Sequence, residues 1–124
     1  MKDDKLWRVF SEYVRRSHAD DQGLCRCVTC GVVKHWKEMD CGHFISRNHK
    51  ATKFDFQNTA PQCARCNRFL GGRQYEFGLW IDQKYGEGTA EKILQRSRMV
   101  CKRDKTEIDI LTKYYKEELK KLTE

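Results

Sequence analysis

The sequence predicts a small α+β fold, and three observations carry that expectation. The amino-terminal residues have a helical apolar period, the middle of the chain has short β-favouring stretches, and two Cys-x-x-Cys pairs bracket those stretches. The chain has 124 residues, 35% of them charged, and its mean hydropathy is -0.86. A core that thin gains from a cross-link. Residues 1–103 read as one domain that includes the amino-terminal helix, and 104–124 as a carboxy-terminal helix packing on that domain or on a second subunit.

Residues 3 to about 18 form the first helix, because Leu6, Val9, Phe10, Tyr13 and Val14 recur on one helical face. Residues 20–31 are small, polar and cysteine-rich, which suits a tight metal knuckle better than regular structure. Val32, Val33 and Trp36 begin a β-favouring stretch, and a second short strand is expected over 41–45 after the turn-like Lys37, Glu38 and Met39. The two are expected to pair as a hairpin. Residues 46–57 read as a basic loop held to the body by Phe54 and Phe56.

A short helix is expected over 63–70, stopped by Gly71-Gly72. Tyr75, Phe77, Trp80, Ile81 and Tyr85 mark a further helix that Gly86 ends, and residues 89 to about 99 continue with Ile93 and Leu94 inward. Asp104-x-x-Glu107 and Thr106-x-x-Asp109 are both cap patterns for the last helix. Its apolar face runs through Ile108, Leu111, Tyr115, Leu119 and Leu122, long enough to cover its own domain or a second copy in a homodimer.

Cys27-Val-Thr-Cys30 and Cys63-Ala-Arg-Cys66 each aim two sulfurs at one point from a tight turn. Together they supply the four thiolates of a tetrahedral Zn²⁺ site. Four sulfurs saturate the ion and leave no open position, so the zinc is expected to stabilise the fold and not to react. Seven cysteines, an odd number in close pairs, fit metal ligation better than a disulfide framework. Cys25, Cys41 and Cys101 are read as ordinary small residues.

The formal net charge is +7, and Arg47, Lys50, Lys53, Arg65, Arg68 and Arg73 lie among the candidate site residues. A polyanion is the natural partner of such a surface. No charged-then-apolar leader opens the sequence, and no apolar run approaches the roughly 20 residues a membrane-spanning helix needs. The expectation is a cytoplasmic protein with no membrane partner.

Between the cysteine pairs stands Asp40-Cys41-Gly42-His43-Phe44-Ile45, then Asn58-Thr59-Ala60-Pro61-Gln62-Cys63, and Asn67 directly follows the fourth cysteine. This order of Cys-x-x-Cys, a Gly-His-aromatic strand, an Asn and Cys-x-x-Cys-Asn resembles the phage NinG/Rap recombination nucleases. More distantly it is similar to phage endonuclease VII and other HNH enzymes. The likeness runs from residue 27 to about 93, since Gly71-Gly72, Tyr75, Gly78-Leu79 and Gly86 also look like that family. The family carries a Ser-Gly-Asn where this chain has Gly71-Gly72-Arg73. The resemblance implies a zinc-stabilised ββα-metal core (HNH, or His-Me finger) with flanking helices. It also implies DNA as partner, branched recombination intermediates as substrate, and the host cell cytoplasm as location if the gene belongs to a phage.

Phosphodiester hydrolysis needs an activated water, charge neutralisation on the phosphate and help for the departing oxygen. His43 is assigned as general base, because a neutral imidazole accepts a proton at physiological pH. Asn67 and Asp40 are the candidate ligands of a catalytic Mg²⁺ or Mn²⁺, with Asp55 or His49 as alternatives to Asp40. Strict strand alternation turns Asp40 and Gly42 away from His43 unless the strand bulges. Asn58 matches the middle Asn of the HNH pattern, which ties the loop to the histidine strand. Arg65, Arg68 and Arg73, with Arg47, Lys50 and Lys53, are the expected phosphate contacts. The rival expectation is a zinc module that binds DNA or protein without cutting.

Overall fold

The computed structural model describes residues 2–123. It is a mixed helical and β structure with an amino-terminal helix, two separate two-stranded sheets, two central helices and a carboxy-terminal helix. Helix α1 (Asp4–Ser17) puts Leu6, Phe10 and Val14 at 0% exposure, at the i, i+4, i+8 spacing of a single face. That face meets Cys41, Phe54 and Ile108 in one apolar cluster.

The strands pair differently from the expected hairpin. Strand β1 (Leu24–Arg26) pairs antiparallel with β2 (Val33–His35), and β3 (Asp40–His43) pairs with β4 (Thr59–Gln62). The single 3-10 turn Trp36–Glu38 separates β2 from β3 instead of folding them together. Part of the region expected to lack regular structure is therefore a strand. The Cys27 amide donates to Val32 O at 2.8 Å and the Gly31 amide to Cys27 O at 2.8 Å, so the knuckle is the tip of the β1–β2 hairpin. Strand β4 includes Pro61, which a two-stranded sheet accommodates because its missing N–H can fall on the open edge. Pro61 O accepts from the Val28 amide at 3.1 Å and so ties β4 to the knuckle.

The loop after β3 contains two 3-10 turns, Lys50–Thr52 and Phe56–Asn58, with Phe54 buried and Phe56 half-buried beside it. The helix expected over 63–70 is a widened helical turn, Arg65–Phe69, closed by the Leu70 amide on Arg65 O at 2.9 Å. An i to i+5 turn of this kind re-aims side chains relative to a regular helix. Helix α2 (Gln74–Tyr85) buries Phe77 and Ile81, and α3 (Thr89–Ser97) buries Ile93. Leu94 is only half-buried, and Met99 lies beyond α3, exposed. Asp82 on α2 accepts from the Ala90 amide at 2.8 Å and fixes the α2–α3 corner.

Helix α4 (Lys105–Leu122) starts at the first of the two cap patterns, with Asp104 accepting from the Glu107 amide at 2.9 Å. It lies along α1: Ile108 is buried, Leu111 and Tyr115 pack on the α1 cluster, and the Tyr115 ring meets Phe10 edge-on at 4.9 Å. Leu122, at the end of that face, is exposed. Among the described residues no helix is long and apolar enough to cross a membrane.

Candidate metal centre and cleft

The Cys27, Cys30, Cys63 and Cys66 sulfurs all lie within 4.8 Å of one another. Tetrahedral zinc–thiolate bonds of about 2.3 Å set neighbouring sulfurs roughly 3.8 Å apart. The Cys30–Cys63 separation is 3.7 Å. The donor set is therefore already spaced for one such ion. Burial pushes the Cys27 thiol up, but hydrogen bonds from the Thr29 side chain and from backbone groups outweigh it and bring it to about 6. At Cys30 the Val32 backbone works downward, while burial and the other three sulfurs drive the thiol up to about 12. Four crowded thiols cannot all ionise without a cation, which is the electrostatic condition a divalent metal relieves. The geometry and the chemistry fit a structural metal such as zinc. Cys25 is buried against this cluster and Cys41 lies in the α1 core, where burial raises its thiol to about 12.

Strands β3 and β4 join this centre to a cleft of about 660 Å³, whose lining includes Asp40, His43, Arg47, Asn67 and Arg68. The β3–β4 register runs from Asp40 opposite Gln62 to His43 opposite Thr59 without a bulge. Alternation therefore holds. Cys41 and His43 face α1, while Asp40 and Gly42 face the other way, toward Gln62 and the Arg65–Phe69 turn. Asp40 and His43 still share the cleft, which wraps around the strand where Asp40 begins it. A side chain on Gly42 would collide with Gln62. The freed Gln62 amide donates to Thr29 Oγ1 at 3.0 Å and to Gly72 O at 2.9 Å, stitching knuckle, strand and turn together.

The His43 ring is held from two sides. Nε2 lies 2.9 Å from Lys53 O, and since a carbonyl only accepts, Nε2 carries the hydrogen and Nδ1 keeps its lone pair. Trp7 stacks on the ring at 5.3 Å and 24°, with Arg47 over Trp7 at 5.8 Å. Burial, with the nearby Arg47 and Lys53 charges against the Lys53 hydrogen bond, lowers the imidazole to about 4, so it is neutral at physiological pH. Asn58 is fully buried behind it. Its Oδ1 accepts from the Ile45 amide at 2.8 Å, and its Nδ2 donates to Ile45 O at 3.0 Å and Thr52 O at 3.1 Å. These bonds clamp the end of β3 to the loop that presents Lys53 O.

On the opposite side Asn67 Nδ2 donates to Asp40 Oδ2 at 3.0 Å. Arg68 grips the same carboxylate with two bonds, at 2.9 and 2.7 Å. Burial pushes the Asp40 carboxyl up, but the Arg68 and Asn67 hydrogen bonds prevail and hold it below its usual range. Asp40 and Asn67 thus meet directly. The two alternative ligands lie elsewhere: Asp55 pairs with Arg96 at 2.7 Å and caps the Phe56–Asn58 turn, and His49 precedes the Lys50–Thr52 turn, exposed.

The basic residues divide. Arg47 and Arg68 line the cleft; Arg47, Lys50 and Lys53 border a smaller hollow beside it, where Lys53 pairs with Asp3 at 2.8 Å. Arg65 is exposed on the helical turn, and Arg73 pairs with Glu76 at 3.1 Å. Arg73 has φ 47°, a left-handed conformation costing about 1–2 kcal/mol for a residue with a side chain. Trp7, Arg15 and Lys37 also line the cleft, and sequence reasoning passed over them. Trp7 sits one residue after Leu6, off the buried stripe, and an aromatic in that place was the one available signal.

The family model for bacteriophage lambda NinG protein matches residues 2–124. No curated protein and no solved structure gives a significant match. A match across essentially the whole length, together with the paired cysteines and the Gly-His strand between them, means that this chain belongs to the NinG family.

Proposed function

We propose that this protein is a Mg²⁺- or Mn²⁺-dependent DNA endonuclease with structural zinc, acting on branched recombination intermediates. The observation that carries the reading is His43, a neutral imidazole whose Nε2 hydrogen is committed to Lys53 O while the ring borders a basic cleft. Its Nδ1 lone pair is the proton acceptor for an attacking water. Strand β3, strand β4 and the Arg65–Phe69 turn follow one another in the order of a ββα-metal core, which supports the same reading.

Arg15, Lys37, Arg47 and Arg68 surround the cleft against the single carboxylate of Asp40, a balance that attracts phosphate. An arriving phosphate favours the protonated ring, so it raises the imidazole pKa from its low value toward physiological pH and makes it a better base. Asp40 and Asn67 are the hard oxygen donors that would hold the catalytic cation, which supplies charge neutralisation at the scissile phosphate. In this reading Arg68 releases Asp40 and turns to the DNA backbone. Asn58 is a positioning residue, since it holds the loop carbonyl that orients the imidazole. Two opposed strands in a branched substrate suit a homodimer.

One observation favours a non-catalytic zinc module instead: both Asp40 oxygens are engaged by Arg68 and Asn67. Incubating the purified protein with four-way junctions, flaps and plain duplex in Mg²⁺ separates the two. Cleavage that falls by about 10²-fold or more in His43→Ala is expected. Binding without cleavage, or equal cleavage by the variant, would sink the nuclease.

A further inference from the structure

Helix α2 is apolar on two sides. Phe77 and Ile81 are buried inward, while Tyr75 and Leu79, one turn apart on the outer side, are exposed. Phe69, at the end of the Arg65–Phe69 turn, is 80% exposed, and Tyr75 is 76% exposed. The two aromatics flank the short turn Gly71-Gly72-Arg73, in which all three residues have positive φ. This turn is not loose. The Gly72 amide donates to Cys66 O at 2.8 Å and Gly72 O accepts from Gln62, so the turn is fastened to a cysteine of the metal set and to β4. Gly71, Gly72 and Gln74 form part of the cleft wall beside Asn67 and Arg68.

Two large exposed rings on either side of a fastened turn at the edge of a cleft mark a surface on which a partner can dock. Charge selects that partner. No acidic residue occurs between Asp55 and Glu76, whereas Arg65, Arg68 and Arg73 interleave with Phe69 and Tyr75. Arg73 pairs with Glu76 and Arg68 with Asp40, but Arg65 is exposed and the Arg68 side chain is 65% exposed. A second copy of this chain would bring the exposed Arg65 and Arg68 against themselves, whereas a polyanion would be drawn in. Rings set among arginines suit unpaired nucleobases, which stack on aromatic faces while guanidinium groups hold the phosphates.

We propose that Phe69 and Tyr75 form a stacking platform for unpaired DNA bases beside the cleft, so that the protein engages DNA where its strands part. The inference rests on the nuclease reading only for the choice of DNA, and binding tests it apart from cleavage. The full zinc-loaded chain is titrated, without magnesium, against a fluorescent single-stranded oligodeoxynucleotide, a strand of equal length built of abasic units, and a duplex. Phe69→Ala and Tyr75→Ala are each expected to weaken binding of the base-bearing strand by about tenfold. They should leave the abasic strand and the duplex within about twofold, and Phe69→Trp and Tyr75→Phe should restore binding.

Unchanged affinity, or equal losses on the abasic strand, overturns the platform. So does a dimeric wild type that either alanine variant turns monomeric, because the rings then join two copies. Cleavage that persists with unaltered single-strand binding in both alanine variants removes the platform and leaves the nuclease. Base-dependent binding with no cleavage in magnesium does the reverse.

Discussion

His43 shows how one ring acquires a property that its residue type lacks. An exposed histidine titrates near 6.5, but burial under Trp7 and the Arg47 and Lys53 charges bring this one to about 4. The His43 imidazole resonances of the DNA-free protein are therefore expected to keep their neutral shifts from pH 8 down to about 5.5. A titration midpoint near 6.5 would contradict the burial. The sign for stability follows: the unfolded chain takes up a proton near 6.5 that the folded chain resists until about 4, so His43 costs stability as pH falls through that window. Asn58 is the second residue on which much depends. Asn58→Ala leaves the Ile45 amide, Ile45 O and Thr52 O without their partner in a buried place. A loss of about 2–4 kcal/mol in denaturant unfolding is expected, and a loss under about 0.5 kcal/mol, the ordinary surface effect, would mean that the clamp is unimportant.

At the scale of elements, a metal held by the four cysteines would cross-link parts that are otherwise joined by a few hydrogen bonds and a small apolar cluster. Strands β1 and β2 are three residues each and Val33 is exposed, so the knuckle hairpin packs through little more than Cys25, Cys27 and Val28. Cys27 and Cys30 face Cys63 and Cys66 at the head of the Arg65–Phe69 turn, where one shared metal would anchor the hairpin. Cys63→Ser is expected to lower bound zinc from about one ion per chain and to abolish cooperative unfolding. A metal-free variant that keeps its near-ultraviolet dichroism would refute a structural role. The same shortness explains the misplaced strand pairing. A three-residue strand shows no alternation to read, and β-propensity at Val32, Val33 and Trp36 says nothing about which partner the strand will find. That the last helix is capped near 104–106 was legible because capping is settled within one turn, but of the two patterns only the structure chose Asp104.

Across the whole molecule, α1 and α4 form one packed layer over β3. Ile108, Leu111 and Tyr115 of α4 cover Leu6, Phe10 and Val14 of α1. Fully burying a side chain of that size contributes about 1.5–3 kcal/mol; Ile108 is buried and Leu111 and Tyr115 partly so, and together they supply a sizeable share of the roughly 5–15 kcal/mol that stabilises an ordinary domain. A chain ending at Arg103 is therefore expected to aggregate or to melt far below the full protein, as thermal unfolding followed by circular dichroism would show. An unchanged melting temperature would mean that 104–124 is a true appendage.

The sequence by itself determined whatever depends on neighbours along the chain: the helical period of 3–18, the two Cys-x-x-Cys turns, a cap pattern at the start of the last helix, and the motif order that marks the family. Only the tertiary structure decided which strands pair, that Trp7 lies on His43, that Arg15 and Lys37 border the cleft, and that Arg68 grips Asp40. The reason is physical. Periodicity, spacing and capping are set by covalent geometry within a few residues, whereas a cleft is made where distant segments dock, and docking follows from burial summed over the whole chain.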